Sequence, residues 1–202
     1  MSQIAEPEDV LDFWFGKPGP ATEVASRQRS LWFGKSTAND LEVTDRFAGT
    51  LAAAGAGQLD HWIHTPRNQL ALIVVLDQFP HHIYRNQGQS FAYDAHSLVL
   101  AQAMIRSGDA GRVAPIERVF VYLPLEHAES LVLQDESVAL YAQLEADASD
   151  VERPLFKGFL DYAQQHRDVV ARFGRFPHRN ELLGRPSTAE EIAFLKQPGS
   201  RF

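Results

Sequence analysis

The chain contains no cysteine, which excludes disulfide cross-links and thiolate zinc sites and suits a reducing compartment; the expected location is cytoplasmic. No apolar run approaches the roughly 20 residues that a membrane-spanning helix needs. The longest is LALIVVL at 70–76, and the start, MSQIAEPEDV, carries acids where a signal peptide carries bases. A soluble protein with no membrane partner is expected. Basic residues are in deficit: 19 Lys and Arg against 26 Asp and Glu leave a formal charge of −7. Binding of a phosphate backbone over a broad face is therefore disfavoured, and no nucleic-acid partner is expected. A compact basic pocket needs only a few cations and is not excluded. HExxH, Walker, GxGxxG and GxSxG motifs are all absent, so zincin, P-loop, Rossmann and α/β-hydrolase readings have no support and no cofactor is expected.

What is present is a helical chain. Of 202 residues, 45% are hydrophobic, enough to bury the core of one domain over 1–202, as a monomer or small homo-oligomer. Val, Ile and Thr seldom alternate with polar residues, whereas helical periods recur; the expected class is all-α. The spacing predicts helices over 7–14, stopped at Gly16, and over 21–32, stopped at Gly34. DFWFGK and SLWFGK share too little to be a repeat and read as two aromatic helix ends closed by glycine. Thr37 or Asn39 is expected to cap a third helix with Leu41, Phe47 and Leu51 inward, followed by a short turn or helix over 59–63. Thr65 and Pro66 read as N-cap and first residue of a helix through Leu76 to Phe79, ended or kinked by Pro80. A buried strand is the rival reading for LALIVVL, because a run apolar on all sides has no period. Further helices are expected over 90–107, 115–122, 124–148 and 152–173, the last closed by Gly174. Pro177 starts a short one that Gly184 ends, and Thr188 with Glu191 forms the capping box of a helix to Lys196.

Several polar residues fall on apolar faces. In the helix over 152–173, Leu155, Phe159, Tyr162, Val169, Val170 and Phe173 share a face with His166 in its middle, so His166 is either a satisfied core histidine or a base or ligand contact. Asp168 and Arg172 read as a surface i,i+4 pair. In PLEHAESLVLQ, His127, Ser130, Gln134 and Tyr141 form an internal stripe between Leu125, Ala128, Leu131, Val132, Leu133 and Leu140, while Glu126 and Glu129 fall where carboxylates favour a helix start. In LDQFPHHIYR, Asp77 and Gln78 end a buried helix where the dipole opposes a carboxylate. They require partners: an ion pair to Arg85 or Arg175, or a shared ligand site. Of the adjacent His81 and His82, at least one is expected on the surface.

The segment ARFGRFPHRNELLGR, 171–185, gathers Arg172, Arg175, Arg179 and Arg185 around His178. A helix starting at Pro177 would aim free N–H groups near His178, Arg179 and Asn180. Guanidinium beside a helix N-terminus suits a carboxylate or phosphate. The rival reading is that Asp77, Glu126 or Glu129 supplies the anion and the arginines tie helices together. A metal site from Asp77, His127, Glu129, His166 and His178 is opposed by the nearby arginines.

VLDFWFG, LDQFPHHIYR, ERVFVYLPLEHAES and HRDVVARFGRFPHRNELLGRPSTAEEIAFL resemble the signatures of a bacterial family catalogued as domain of unknown function 924, in the tetratricopeptide-like superfamily. The family pattern DQFPRN departs here to His81 and His82, and PLEHSE to PLEHAE with Ala128. The resemblance implies antiparallel helices in a tetratricopeptide-like right-handed superhelix and no settled activity. Function therefore rests on the residues. The expected ligand site is Asp77, Gln78, Arg85, Glu126, His127, Gln134, His166, Arg175, His178, Arg179 and Asn180, holding a small anionic molecule or a peptide carboxylate. The alternatives are an enzyme using acid–base catalysis by His127, His166 and Glu126 on an anionic substrate, with hydrolysis as one such reaction, and a structural protein whose polar clusters are internal ties.

Overall fold

LALIVVL is helical because its neighbours start and stop a helix around it. Thr65 accepts from the Asn68 amide, Pro66 takes the first position where no N–H is needed, and α4 (Pro66–Asp77) follows. In the computed structural model, which describes residues 4–200, residues 70–76 have no exposed surface. A helix apolar all round belongs at a centre. Around α4 pack α1 (Pro7–Phe15), α3 (Thr37–Gly55), α5 (Phe79–Ile83), α6 (Asp94–Arg106) and α7 (Pro115–Glu126). Next to α7 stand α2 (Ala21–Phe33) and α8 (Leu131–Ala146), and α8 packs along α9 (Arg153–Phe173). The chain ends with the single turn Pro177–Arg179 and the short α10 (Ala189–Phe194). No strand occurs among the described residues, and none of their helices is long and apolar enough to cross a membrane. The expected span 1–202 includes 1–3 and 201–202, which lie outside the described residues.

One hydrophobic core runs from α1 to α9, built on the ring cluster of Trp14, Trp32, Phe79 and Phe120. A second, small cluster of Val169, Val170 and Phe176, with Phe173 and Phe194 against it, anchors the C-terminal segment. Gly174 closes α9 at φ +70, a conformation that side chains rarely adopt.

Several local expectations are corrected. Pro124 does not open a helix; it lies buried inside α7, which ends at Glu126, and the chain restarts helically only at Leu131. Proline is tolerated there because the helix has already formed most of its bonds upstream and stops one turn later. Gln134 braces the break, its Nε2 donating to the carbonyls of Glu126 and Ala128 at 2.6 and 2.8 Å. Glu126 therefore sits at a helix C-terminus rather than in a first turn. The helix expected from Ser90 starts at Asp94, after a tight turn over Gly88–Phe91. Ser36, not Thr37 or Asn39, caps α3, and Leu41 points outward, 59% exposed. Val132 and Tyr162 are likewise exposed, with Phe156 and Ala163 buried on α9 instead. Asp168 and Arg172 do not pair: Arg172 meets Glu190 and Asp168 meets Arg167.

Candidate functional site

The buried end of α4 places Asp77 where three polar side chains, Gln78, His127 and Ser97, converge on it. Asp77 has no exposed surface; its Oδ1 lies 3.0 Å from His127 Nδ1, and Gln78 Nε2 donates to its Oδ2 at 2.6 Å. Ser97 on α6 adds a longer contact at 3.4 Å. Burial by itself raises the Asp77 carboxyl, but the charge and hydrogen bond of His127 outweigh it and hold the carboxyl below its ordinary value. The same pair acts on His127, whose pKa burial would lower and Asp77 raises instead. Since Nδ1 faces Asp77, Nε2 is the ring nitrogen left for a ligand.

A second carboxylate–histidine contact lies nearby and is electrically different. Glu126 Oε1 is 3.2 Å from His166 Nδ1, with both side chains almost fully buried. Burial pushes Glu126 up to about 8, and burial pushes His166 down to about 3. At neutral pH this is a contact between an uncharged acid and an uncharged imidazole rather than an ion pair, and His166 Nδ1 also faces the Tyr162 carbonyl at 3.0 Å.

The C-terminal segment supplies the cation. Arg179 is 7% exposed, with its guanidinium between the rings of Phe91 and Phe176 at 4.6 and 4.7 Å. Its Nη1 donates to Asp94 Oδ2 at 3.1 Å, while its Nε and Asp94 Oδ1 are buried without a protein partner. Burial pushes Asp94 up to about 6 despite the neighbouring guanidinium.

His127 and Arg179 line two cavities. The larger, about 370 Å³, also takes Gln78, His81, Arg85, His166 and His178 into its wall, with Trp32, Phe33, Lys35, Phe91, Tyr162 and Leu182. The smaller, about 330 Å³, has Asp94, Leu98, Pro124, Glu129, Ser130 and Leu133 on its other sides. Asp77 and Glu126 stand behind the histidines of the larger cavity without lining it.

Three expected residues fall elsewhere. Arg175 binds Glu191 bidentately at 2.7 and 2.9 Å and the Pro186 carbonyl, outside both cavities. Asn180 is buried against Ser187, Glu191 and Arg185, and Gln134 braces the 127–130 turn. Neither Arg85 nor Arg175 is the partner of Asp77: Arg85 reaches the cavity wall paired to Asp40, at 2.5 and 2.6 Å. Arg185 grips Glu129 at 2.6 and 2.8 Å, and Glu129 also accepts from the Phe176 amide. Arg175 and Arg185 are thus internal ties, and Arg172 makes a surface pair with Glu190. The helix N-terminus expected at Pro177 is a single turn of three residues, so no helix dipole serves the site.

His81 and Asp94 were missed. His82 is buried against Asp40, and His81 is half-buried beside His127, ring centroids 5.5 Å apart, so neither is a surface residue. Their rings point to different partners, as adjacency on a helix requires. Nothing in the sequence marks Asp94, because its helix reads as starting four residues earlier. Among the described residues no three His, Asp or Glu side chains converge as metal ligands.

A family model described as a bacterial protein of unknown function, DUF924, matches residues 10–199. A solved structure of a protein of unknown function from Agrobacterium tumefaciens is similar over 94% of this chain and 96% of its own, at 35% identity and a TM-score of 0.77. No curated protein matches.

Proposed function

We propose, for a chain that belongs to the bacterial family of unknown function DUF924, that the larger cavity binds a small organic anion. The observation that carries this reading is the sign of its wall. The chain has 26 acids and 19 Lys and Arg, yet the wall includes Lys35, Arg85, Arg179 and His127, whose pKa is raised, and not one carboxylate. The acids that neutralise His127, Arg85 and Arg179 stand behind them, at Asp77, Asp40 and Asp94. Such an arrangement keeps cations buried while presenting their donors inward. Clamping between two rings fixes the plane of the Arg179 guanidinium before a ligand arrives, which reduces the ordering entropy of binding.

Calorimetric titration with acetate, malonate, sulfate and phosphate tests the reading. The parent is expected to bind at least one of them, Arg179→Met to lose that binding, and Arg175→Met to keep it, since Arg175 lies outside the cavity. If none of the four binds the parent, the reading is abandoned.

A second reading, acid–base catalysis on the bound anion, is favoured by one observation: Asp77 holds Nδ1 of His127, whose ring lines both cavities. A carboxylate behind a cavity-facing histidine sets its tautomer and stabilises its protonated form. The discriminating result is a substrate whose turnover His127→Gln abolishes while anion binding persists; a His127→Gln protein that turns it over at the parent's rate removes the catalytic reading.

A further inference from the structure

The mouth of the larger cavity is largely apolar, with Lys35 and Asn86 as its exposed polar residues, and that is unexpected for an anion site on an acidic protein. Phe33, Tyr162 and Leu182 line it and are 55%, 41% and 36% exposed. Phe33 closes α2 and is held in place by ring contacts to Trp32 at 6.0 Å and Phe159 at 6.2 Å. An exposed aromatic costs stability unless something covers it, and three large apolar groups around one opening mark a surface that a ligand shields. Deeper in, the cavity changes character: the buried Arg179 and His127 form its inner wall. Lys35 aside, polarity runs from apolar outside to cationic inside, which orients a ligand with its charged group inward and its apolar body toward the mouth.

The charge to be matched is small. Arg179 shares its charge with Asp94, His127 with Asp77, and Arg85 with Asp40, which leaves Lys35 as the wall's cation with no carboxylate in ion-pair contact among the described residues. Burial keeps His81 and His166 uncharged, each pushed down to about 3, so both serve as neutral rings rather than added cations. A doubly charged group would overcompensate this wall, whereas one carboxylate suits the donors of a planar guanidinium. The remaining wall is rich in rings: His81, His166, Phe91 and Tyr162 join Phe33. At about 370 Å³ the cavity lies at the small end of ligand pockets, room for one ring system with a short side chain.

We infer that the anion is an aromatic monocarboxylate, its carboxylate at Arg179 and its ring packed between the cavity's rings and the Phe33 mouth. This rests on the anion-binding reading above and adds the class of anion.

The experiment compares phenylacetate, indole-3-acetate, hexanoate, acetate and phosphate by calorimetry on the parent, Phe33→Ala and Arg179→Met. Phe33 is exposed, so Phe33→Ala is expected to fold as the parent does. The arylacetates are expected to bind the parent at least about tenfold more tightly than acetate or phosphate, from ring burial and stacking. Phe33→Ala is expected to narrow that margin, and Arg179→Met to weaken every anion. Equal affinity for acetate or phosphate and the arylacetates overturns the inference while leaving the anion-binding reading intact. So does hexanoate matching phenylacetate, or a margin that Phe33→Ala leaves unchanged. Absence of binding by all five anions overturns the reading beneath it.

Discussion

Asp77 and Glu126 are both fully buried carboxyls at the C-terminal ends of helices, and they resolve the same electrostatic problem in opposite ways. Asp77 is held below its ordinary value by the charge and hydrogen bond of His127; the same histidine's charge also favours ionised Glu126 but does not overcome its burial, and Glu126 keeps its proton. For Asp77 and His127 the signs are these. Asp77, held below its ordinary value, contributes stability above its unfolded pKa that is lost as pH falls through the folded one. His127, held above its ordinary value, contributes stability below its unfolded pKa that is lost as pH rises through the folded one. Asp77→Asn should therefore lower the His127 pKa, read from the pH titration of its imidazole proton resonances; an unchanged pKa would show that Asp77 does not set it. Glu126 has the reverse sign. Its folded carboxyl, near 8, holds a proton that the unfolded chain releases near its ordinary value, so stability falls as pH rises between the two. Glu126→Gln should gain on the parent across that window by on the order of 2–4 kcal/mol, measured by denaturant unfolding at pH 5 and pH 8. A constant difference at the two pH values would mean that Glu126 is ionised in the fold.

At the scale of elements, the arginines of 171–185 divide by what faces them. Arg175 and Thr188 hold Glu191, which Arg175 above all keeps down to about 2. That tie contributes fully above the unfolded carboxyl value and is lost as pH falls through about 2. Glu129 joins the 127–130 turn to this segment through Arg185 and the Phe176 amide. Glu129→Ala removes charge-assisted hydrogen bonds and should destabilise by roughly 1.5–3 kcal/mol in denaturant unfolding. It should also weaken anion binding, because the segment it releases carries Arg179. A Glu129→Ala protein that loses stability but binds anions as the parent does would show that Arg179 is positioned without this tie.

The whole molecule has two unequal parts. α4 lies at the centre of a continuous core, whereas residues 175–199 attach through the small Val169–Val170–Phe176 cluster, the contact of Arg179 with Phe91, and the ionic ties Arg179–Asp94 and Arg185–Glu129. Segments with few apolar contacts open at lower free energy than the core. Hydrogen exchange should show α4 amides exchanging only with global unfolding and amides of 177–194 opening well below it, and phenylacetate should slow the latter. Uniform protection along the chain would indicate that the C-terminal segment folds as part of the main core.

The amino-acid sequence by itself determined the helices and most of their ends, because proline at a first turn, a hydroxyl cap and a closing glycine act within a few residues of one another. The Thr65–Pro66 start, the Gly174 stop and the Thr188–Glu191 capping box were legible for that reason, as was the burial of His166 from its place on an apolar face. Pro124 was misleading because the same residue fits a helix start and a late interior position, and only packing chooses between them. The arginine-rich segment was legible as a concentration of charge but not as a site. Whether a guanidinium ties or binds depends on which carboxylate reaches it, and Glu191, Glu129 and Asp94 lie 16, 56 and 85 residues from Arg175, Arg185 and Arg179. Helix periodicity carries no information over such separations. The tertiary structure alone brought Asp77 behind His127, set Asp94 against Arg179, and left the wall between them without a carboxylate.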